Sequence, residues 1–151
     1  MAKHPRERWA TAAMWAGLGL TVAATAAPYL DRATLHLLAD HIRAGYPGYS
    51  QEKIDTAVTA YLMLLTAIGA CGAVAWLWTI RAVGRARRWA RPAATAMLVL
   101  GTCTGLAMLL TRDTSGDTGL PPELAWTGLA PCLAGLATVA LLWTRPSRVT
   151  R

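Results

Sequence analysis

The sequence has little charge, since Asp, Glu, Lys and Arg make up only 15% of its 151 residues. Soluble domains typically carry about a quarter. Phe and Asn are absent, and Lys occurs twice against thirteen Arg; this bias against AT-rich codons indicates a high-GC genome. Three Cys cannot pair completely, which excludes a disulfide-stapled small domain. The 54% hydrophobic content excludes a disordered chain.

Four long runs contain no Asp, Glu, Lys or Arg: residues 9–30, 56–80, 92–111 and 124–144. A membrane-spanning helix needs about 20 apolar residues, because roughly 30 Å of hydrocarbon is crossed at about 1.5 Å per residue. Four such runs leave no soluble domain to bury them. The sequence therefore predicts an all-α fold: a single polytopic membrane domain of four transmembrane helices.

An alternative concerns the first run, which follows a basic N-terminal segment. Residues 24–26, Ala-Thr-Ala, fit a signal-peptidase site, and cleavage there would leave three spans. The run is longer than the roughly 7–15 residues of a signal-peptide core. A retained first helix is therefore the favoured interpretation.

The basic residues are distributed unevenly among the loops. Eleven would lie on one side: Lys3, Arg6, Arg8, Arg81, Arg85, Arg87, Arg88, Arg91, Arg145, Arg148 and Arg151. The loops 31–55 and 112–123 hold the other four, together with seven of the eight acids. Because basic loops stay in the cytoplasm, we predict a multi-pass plasma-membrane protein with both termini cytoplasmic.

The inner loop 81–91 contains five Arg, and two interpretations remain open. The loop either fixes the topology alone, which is the simpler interpretation, or it also docks an acidic partner or anionic lipid head groups. The long uncharged runs that interrupt the basic charge exclude a nucleic-acid binder.

The two halves of the chain share their ends. Arg-Trp-Ala opens the first and third runs, at residues 8–10 and 88–90, and Leu-Trp-Thr closes the second and fourth, at 77–79 and 142–144. This pattern is typical of two parallel helical hairpins related by an axis along the membrane normal, an arrangement found in transporters.

Small residues are expected to hold the helices together, since lipid provides no hydrophobic driving force between them. Gly101 and Gly105 form a GxxxG spacing, and Gly69 and Gly72 occur in the second run. Packing within the chain is favoured over a homodimer interface. The many Thr hydroxyls within the spans are expected to bond their own helix backbone.

The first outer loop predicts a short amphipathic helix over 31–45, with Asp31 as its cap. His36, Asp40 and His41 form a polar cluster there. Two helix neighbours, His36 and Asp40, are too few for a metal site without a further ligand. Hydrogen-bonded or exposed side chains are the simpler interpretation, with an outer-face enzyme as a distant alternative.

The spans contain no Asp, Glu, Lys, Arg or His, whereas proton-coupled transport usually needs an ionisable group at membrane depth and embedded haem usually needs His ligands there. No nucleophile, zinc-protease or phosphate-loop motif is present. We therefore expect no enzyme activity, cofactor or metal. The leading hypothesis is a non-enzymatic protein acting through helix packing with a membrane partner or lipid. The alternative is a small uncharged-solute transporter or transporter subunit.

Three stretches, LADHIRAGYP, QEKIDTAVTAYL and DTSGDTGLPP, resemble uncharacterised small integral membrane proteins of high-GC actinobacteria. The resemblance covers about residues 35–144. It implies an origin but no activity and no functional residues, because that family has none assigned.

Overall fold

The computed structural model describes residues 5–85, 87–114, 116 and 118–144, and they form a helical bundle. The helices are α1 (Pro5–Ala33), α2 (Leu37–Gly45), α3 (Gln51–Gly84), α4 (Ala90–Leu110) and α5 (Pro122–Trp143). Four of them, all but α2, are long and apolar enough to cross a membrane, which confirms the predicted number of candidate spans. The predicted cytoplasmic residues Lys3, Arg145, Arg148 and Arg151 and the side chain of Arg6 lie outside the described part.

Each long helix begins before its charge-free run, and α1 and α3 also end beyond theirs, whereas α4 and α5 end one residue inside. α3 covers Gln51–Gly84 instead of 56–80, and α4 includes Arg91 in its first turn. The predicted inner loop 81–91 shrinks to 85–89. Charged residues limit an apolar run but not a helix, since Glu, Lys and Arg are good helix formers. With 34 residues, α3 is about 51 Å long and exceeds the roughly 30 Å of hydrocarbon.

The four long helices form a ring. α1 packs against α3 and α5, and α5 packs against α4, whereas α3 and α4 touch only sparsely. Along the described backbone, the diagonal pairs α1–α4 and α3–α5 make no contact. The ring therefore encloses a space that only side chains can fill.

The predicted duplication is only partly reflected in this ring. Both hairpins form, as α1 with α3 and as α4 with α5. A two-fold axis along the bundle would make the α1–α5 and α3–α4 contacts equivalent. The first of these is the most extensive in the molecule and the second is sparse. The symmetry is therefore broken at the junction of α3 and α4.

The connection between α1 and α3 is organised by Asp31. Its buried carboxylate accepts hydrogen bonds from the backbone N–H groups of Leu37 (2.9 Å) and Leu38 (3.0 Å). The prediction that Asp31 caps the amphipathic helix is confirmed, but the predicted boundaries were wrong. Asp31 belongs to the last turn of α1, and α2 starts only at Leu37. The chain reverses between them, with His36 in the left-handed region at φ 58°.

α2 covers one end of the bundle, here called the α2 end. Its buried residues Leu38 and Ile42 join an apolar cluster with Ile54, Val58 and Leu62 of α3. Asp40 and Arg43 face outward and form an exposed ion pair. The apolar side of the amphipathic helix thus rests on the bundle.

Candidate functional site: a cavity within the bundle

All four long helices line one elongated cavity of about 540 Å³. This volume is within the range of about 300–1,000 Å³ found for small-molecule sites. Its lining extends over 65–79 on α3, 94–108 on α4 and 124–138 on α5. Each stretch advances about 21 Å along its helix at roughly 1.5 Å per residue. The cavity is therefore long and narrow, and it follows the bundle axis.

The cavity opens sideways where α3 and α4 separate. Ala67 and Cys71 of α3 and Leu100 and Gly101 of α4 line it and are also exposed. We call these four residues the α3–α4 seam. In a membrane they would lie well inside the hydrocarbon, because each is at least nine residues from the nearest end of its helix. The opening would thus face lipid tails rather than water.

Hydroxyl groups in the lining are already bonded within their own helices. Each donates to the carbonyl oxygen four residues earlier, at 2.7–2.9 Å. They belong to Thr21, Thr25, Thr79, Thr104 and Thr138. These bonds confirm the predicted bonding pattern for Thr. Among the described residues, the lining contains no Asp, Glu, Lys, Arg or His. The cavity therefore presents apolar surface to an occupant.

Trp76 of α3 lines the cavity and packs against α1. Its indole N–H donates to the Thr21 hydroxyl of α1 at 3.0 Å. Its six-membered ring lies directly over Gly17, and a Cβ built at Gly135 of α5 would be 3.9 Å from the same ring. One side chain of α3 thus contacts α1 and approaches α5. Sequence reasoning gave Trp76 no role, since nothing local indicates which glycine a tryptophan will face.

The predicted packing glycines divide between two roles. Gly69 lies against Thr25, and a Cβ at Gly72 would be 3.2 Å from Thr21 Cγ2, so both bring α3 close to α1. Gly105 lies under Leu129 and brings α4 close to α5. Gly101 instead lines the cavity, and a Cβ there would be 4.0 Å from Cys132 Sγ.

The five arginines of the basic loop gather at the bundle end opposite α2, here called the basic end. Arg81, Arg85, Arg87, Arg88 and Arg91 are all exposed. Within the described ranges, the one ion pair is Arg43–Asp40, so none of the five pairs with an acid there. Tryptophans gather at this end too. The rings of Trp78 and Trp89 are 4.8 Å apart, and Trp143 donates to Thr95 at 3.1 Å.

The predicted polar cluster at the α2 end does not assemble into one site. His36 and Asp40 line a shallow polar pocket of about 510 Å³, but His36 precedes α2 and is not on its helical face. The His41 ring bonds to the Thr118 carbonyl at 2.5 Å and ties α2 to the loop before α5. In the part of the chain that the structure describes, no three His, Cys, Asp or Glu side chains are grouped to hold a metal.

The chain matches no protein-family model, no curated protein and no solved structure. The resemblance to actinobacterial membrane proteins therefore stays a prediction. Any function must be argued from the cavity and the charge distribution themselves.

Proposed function

We propose that this protein is a non-enzymatic, four-span protein of the plasma membrane that binds a lipid acyl chain in its cavity. Both termini and the basic end face the cytoplasm, and α2 lies outside. The basic loop and the tryptophans at the same end support this orientation, because both favour the cytoplasmic interface.

The observation that carries the proposal is the lateral opening of an apolar cavity at the α3–α4 seam. The lining is about 21 Å long, which exceeds the roughly 15 Å thickness of one hydrocarbon leaflet. A chain from the adjacent leaflet would enter sideways without passing through water. The lining hydroxyls donate to their own helices, so an apolar occupant leaves no donor unpaired.

The alternative, transport of an uncharged polar solute, is less well supported. Such a solute would lose its hydrogen bonds to water, and the cavity offers few in return, which costs free energy. Transporters built from parallel repeats also move two equivalent halves against each other, whereas here the equivalent junctions differ. Helix packing with a partner protein is weakened too, since Gly69, Gly72 and Gly105 are used within the bundle.

Filling the cavity tests the proposal. The double variant Gly101→Leu/Gly128→Leu adds bulk at two residues of the lining. Each position has room for a Cβ, since one at Gly128 meets nothing within 4 Å and one at Gly101 meets only Cys132 Sγ at 4.0 Å. The matched control is Gly19→Leu/Cys103→Leu, at exposed positions outside the lining. Native mass spectrometry of the purified full chain in detergent, titrated with a phospholipid, counts the lipids retained.

We expect one tightly retained lipid on the wild type and the control, and at least a tenfold loss of retention in the filled variant. Equal retention by all three proteins would refute the proposal. Helix content from circular dichroism and the elution volume verify that each variant is folded. A filled variant that stays folded but loses only solute flux in liposomes would favour the transporter instead.

A further inference from the structure

The basic end lies next to one end of the cavity. At that end the lining includes Thr79 of α3 and Ala94 of α4. Arg91 is one turn beyond Ala94 on the same helix face, about 4.5 Å further along the axis. Arg85 follows the last residue of α3, about 9 Å beyond Thr79. Both arginines therefore lie beyond this end of the lining, where Thr79 and Ala94 are themselves buried, at the ends of the two helices that form the α3–α4 seam.

Among the described side chains, no acid forms an ion pair with the five arginines of this end. The sequence contains no Asp or Glu between Asp55 and Asp113. The five exposed arginines lie on one short connection and the two adjoining helix turns. Setting the membrane orientation requires an excess of basic residues, but it does not require them to lie next to the end of an apolar cavity.

We propose that the occupant is an anionic phospholipid of the cytoplasmic leaflet. One acyl chain lies in the cavity and the phosphate head group is bound by Arg85 and Arg91. This inference rests on the proposed function and deepens it by naming the ligand class. The charge complementarity supports it, because guanidinium groups bind phosphate through paired hydrogen bonds. The lateral opening lets the chain and the head group bind together.

The test compares phosphatidylglycerol with phosphatidylcholine carrying the same acyl chains, titrated onto the full-length protein in detergent. Native mass spectrometry gives an apparent affinity for each lipid. The variant is Arg85→Gln/Arg91→Gln. The control, Arg32→Gln/Arg112→Gln, removes the same charge from exposed positions at the α2 end. Each basic residue contributes roughly fivefold to the binding of an anionic surface, so two contribute about 25-fold.

We expect wild type to bind phosphatidylglycerol at least tenfold more tightly than phosphatidylcholine. The basic-end variant should lose about 25-fold for phosphatidylglycerol and little for phosphatidylcholine, while the control stays unchanged. The cavity-filled variant Gly101→Leu/Gly128→Leu should lose both lipids.

Three outcomes would overturn the inference, and they have different meanings. Equal affinity for both lipids, with loss of both on filling, removes the head-group site but leaves the proposed function intact. Phosphatidylglycerol binding that depends on the arginines but survives filling indicates surface attraction alone, and it refutes cavity binding as well. Binding that is insensitive to filling and also to the arginines refutes the proposed function together with this inference.

Discussion

Gly17→Ala adds one carbon at a position where the structure predicts a large effect on stability. Gly17 is buried on α1 beneath the Trp76 ring. A Cβ there would lie 2.5 Å from Cη2 and 2.7 Å from Cε2 of that ring. The ring is held by its hydrogen bond to Thr21, so moving it away from Gly17 would strain or break that bond.

The magnitude follows from two opposing terms. Overpacking a well-filled site costs about 1–3 kcal/mol. Replacing Gly by Ala within a helix stabilises it by about 0.8–1.0 kcal/mol. Because the overlap involves several atoms of a rigid ring, the upper part of the range applies. We therefore expect Gly17→Ala to lower the free energy of unfolding by about 2 kcal/mol.

Gly19→Ala is the matched control on the same helix, since a Cβ there meets nothing within 4 Å. It should stabilise by up to about 1 kcal/mol. Both variants are compared by reversible unfolding in mixed micelles with increasing SDS. In a Trp76→Leu background the ring is absent, so Gly17→Ala should change sign and stabilise. Equal effects of Gly17→Ala and Gly19→Ala, or no dependence on Trp76, would refute the packing argument.

Three further predictions concern the α2 end and α1. Asp31→Ala removes the acceptor for two backbone N–H groups and should lower the free energy of unfolding by about 2 kcal/mol, with faster hydrogen exchange in α2. The control Asp40→Ala removes an exposed ion pair and should change neither the stability nor the exchange rate; equal effects of the two variants would contradict the capping role. His36→Gly should stabilise the protein by up to about 1 kcal/mol in the same unfolding assay, because φ 58° strains a residue that has a Cβ. His36→Val should destabilise it, and the reverse order would contradict the turn geometry. Intact mass of the protein from its native membrane should include α1, which contacts both α3 and α5; a shortened chain would mean that the first run is a cleaved signal.

The number of long helices was predictable because long runs without charged residues are a simple signal. Charge-free runs of 20 residues or more locate helices of spanning length, although most of the helix ends lie outside the runs. The Asp31 cap was also predictable, since Asp before an apolar stripe favours a helix start. Its position six residues before α2 was not, because that depends on the reversal at His36.

The cavity was not predictable from the sequence. It depends on which helices neighbour one another around the ring, and a single sequence does not encode that order in any local pattern. The glycines show the same limit. The GxxxG spacing of Gly101 and Gly105 predicts close packing for both, yet only Gly105 meets a neighbouring helix closely. The spacing places residues on one face, but the bundle decides what that face meets.

The central claim is that lipid occupies the cavity, and photo-crosslinking tests it most directly. The full chain in detergent is loaded with one molecule of phosphatidylglycerol carrying a diazirine in its acyl chain, irradiated and digested, and the labelled residues are mapped. We predict labels concentrated at the α3–α4 seam, around Cys71 and Gly101, and few at Leu133, which is 73% exposed outside the cavity lining. Labels that follow surface exposure alone, with Leu133 marked as strongly as the seam, would contradict the account.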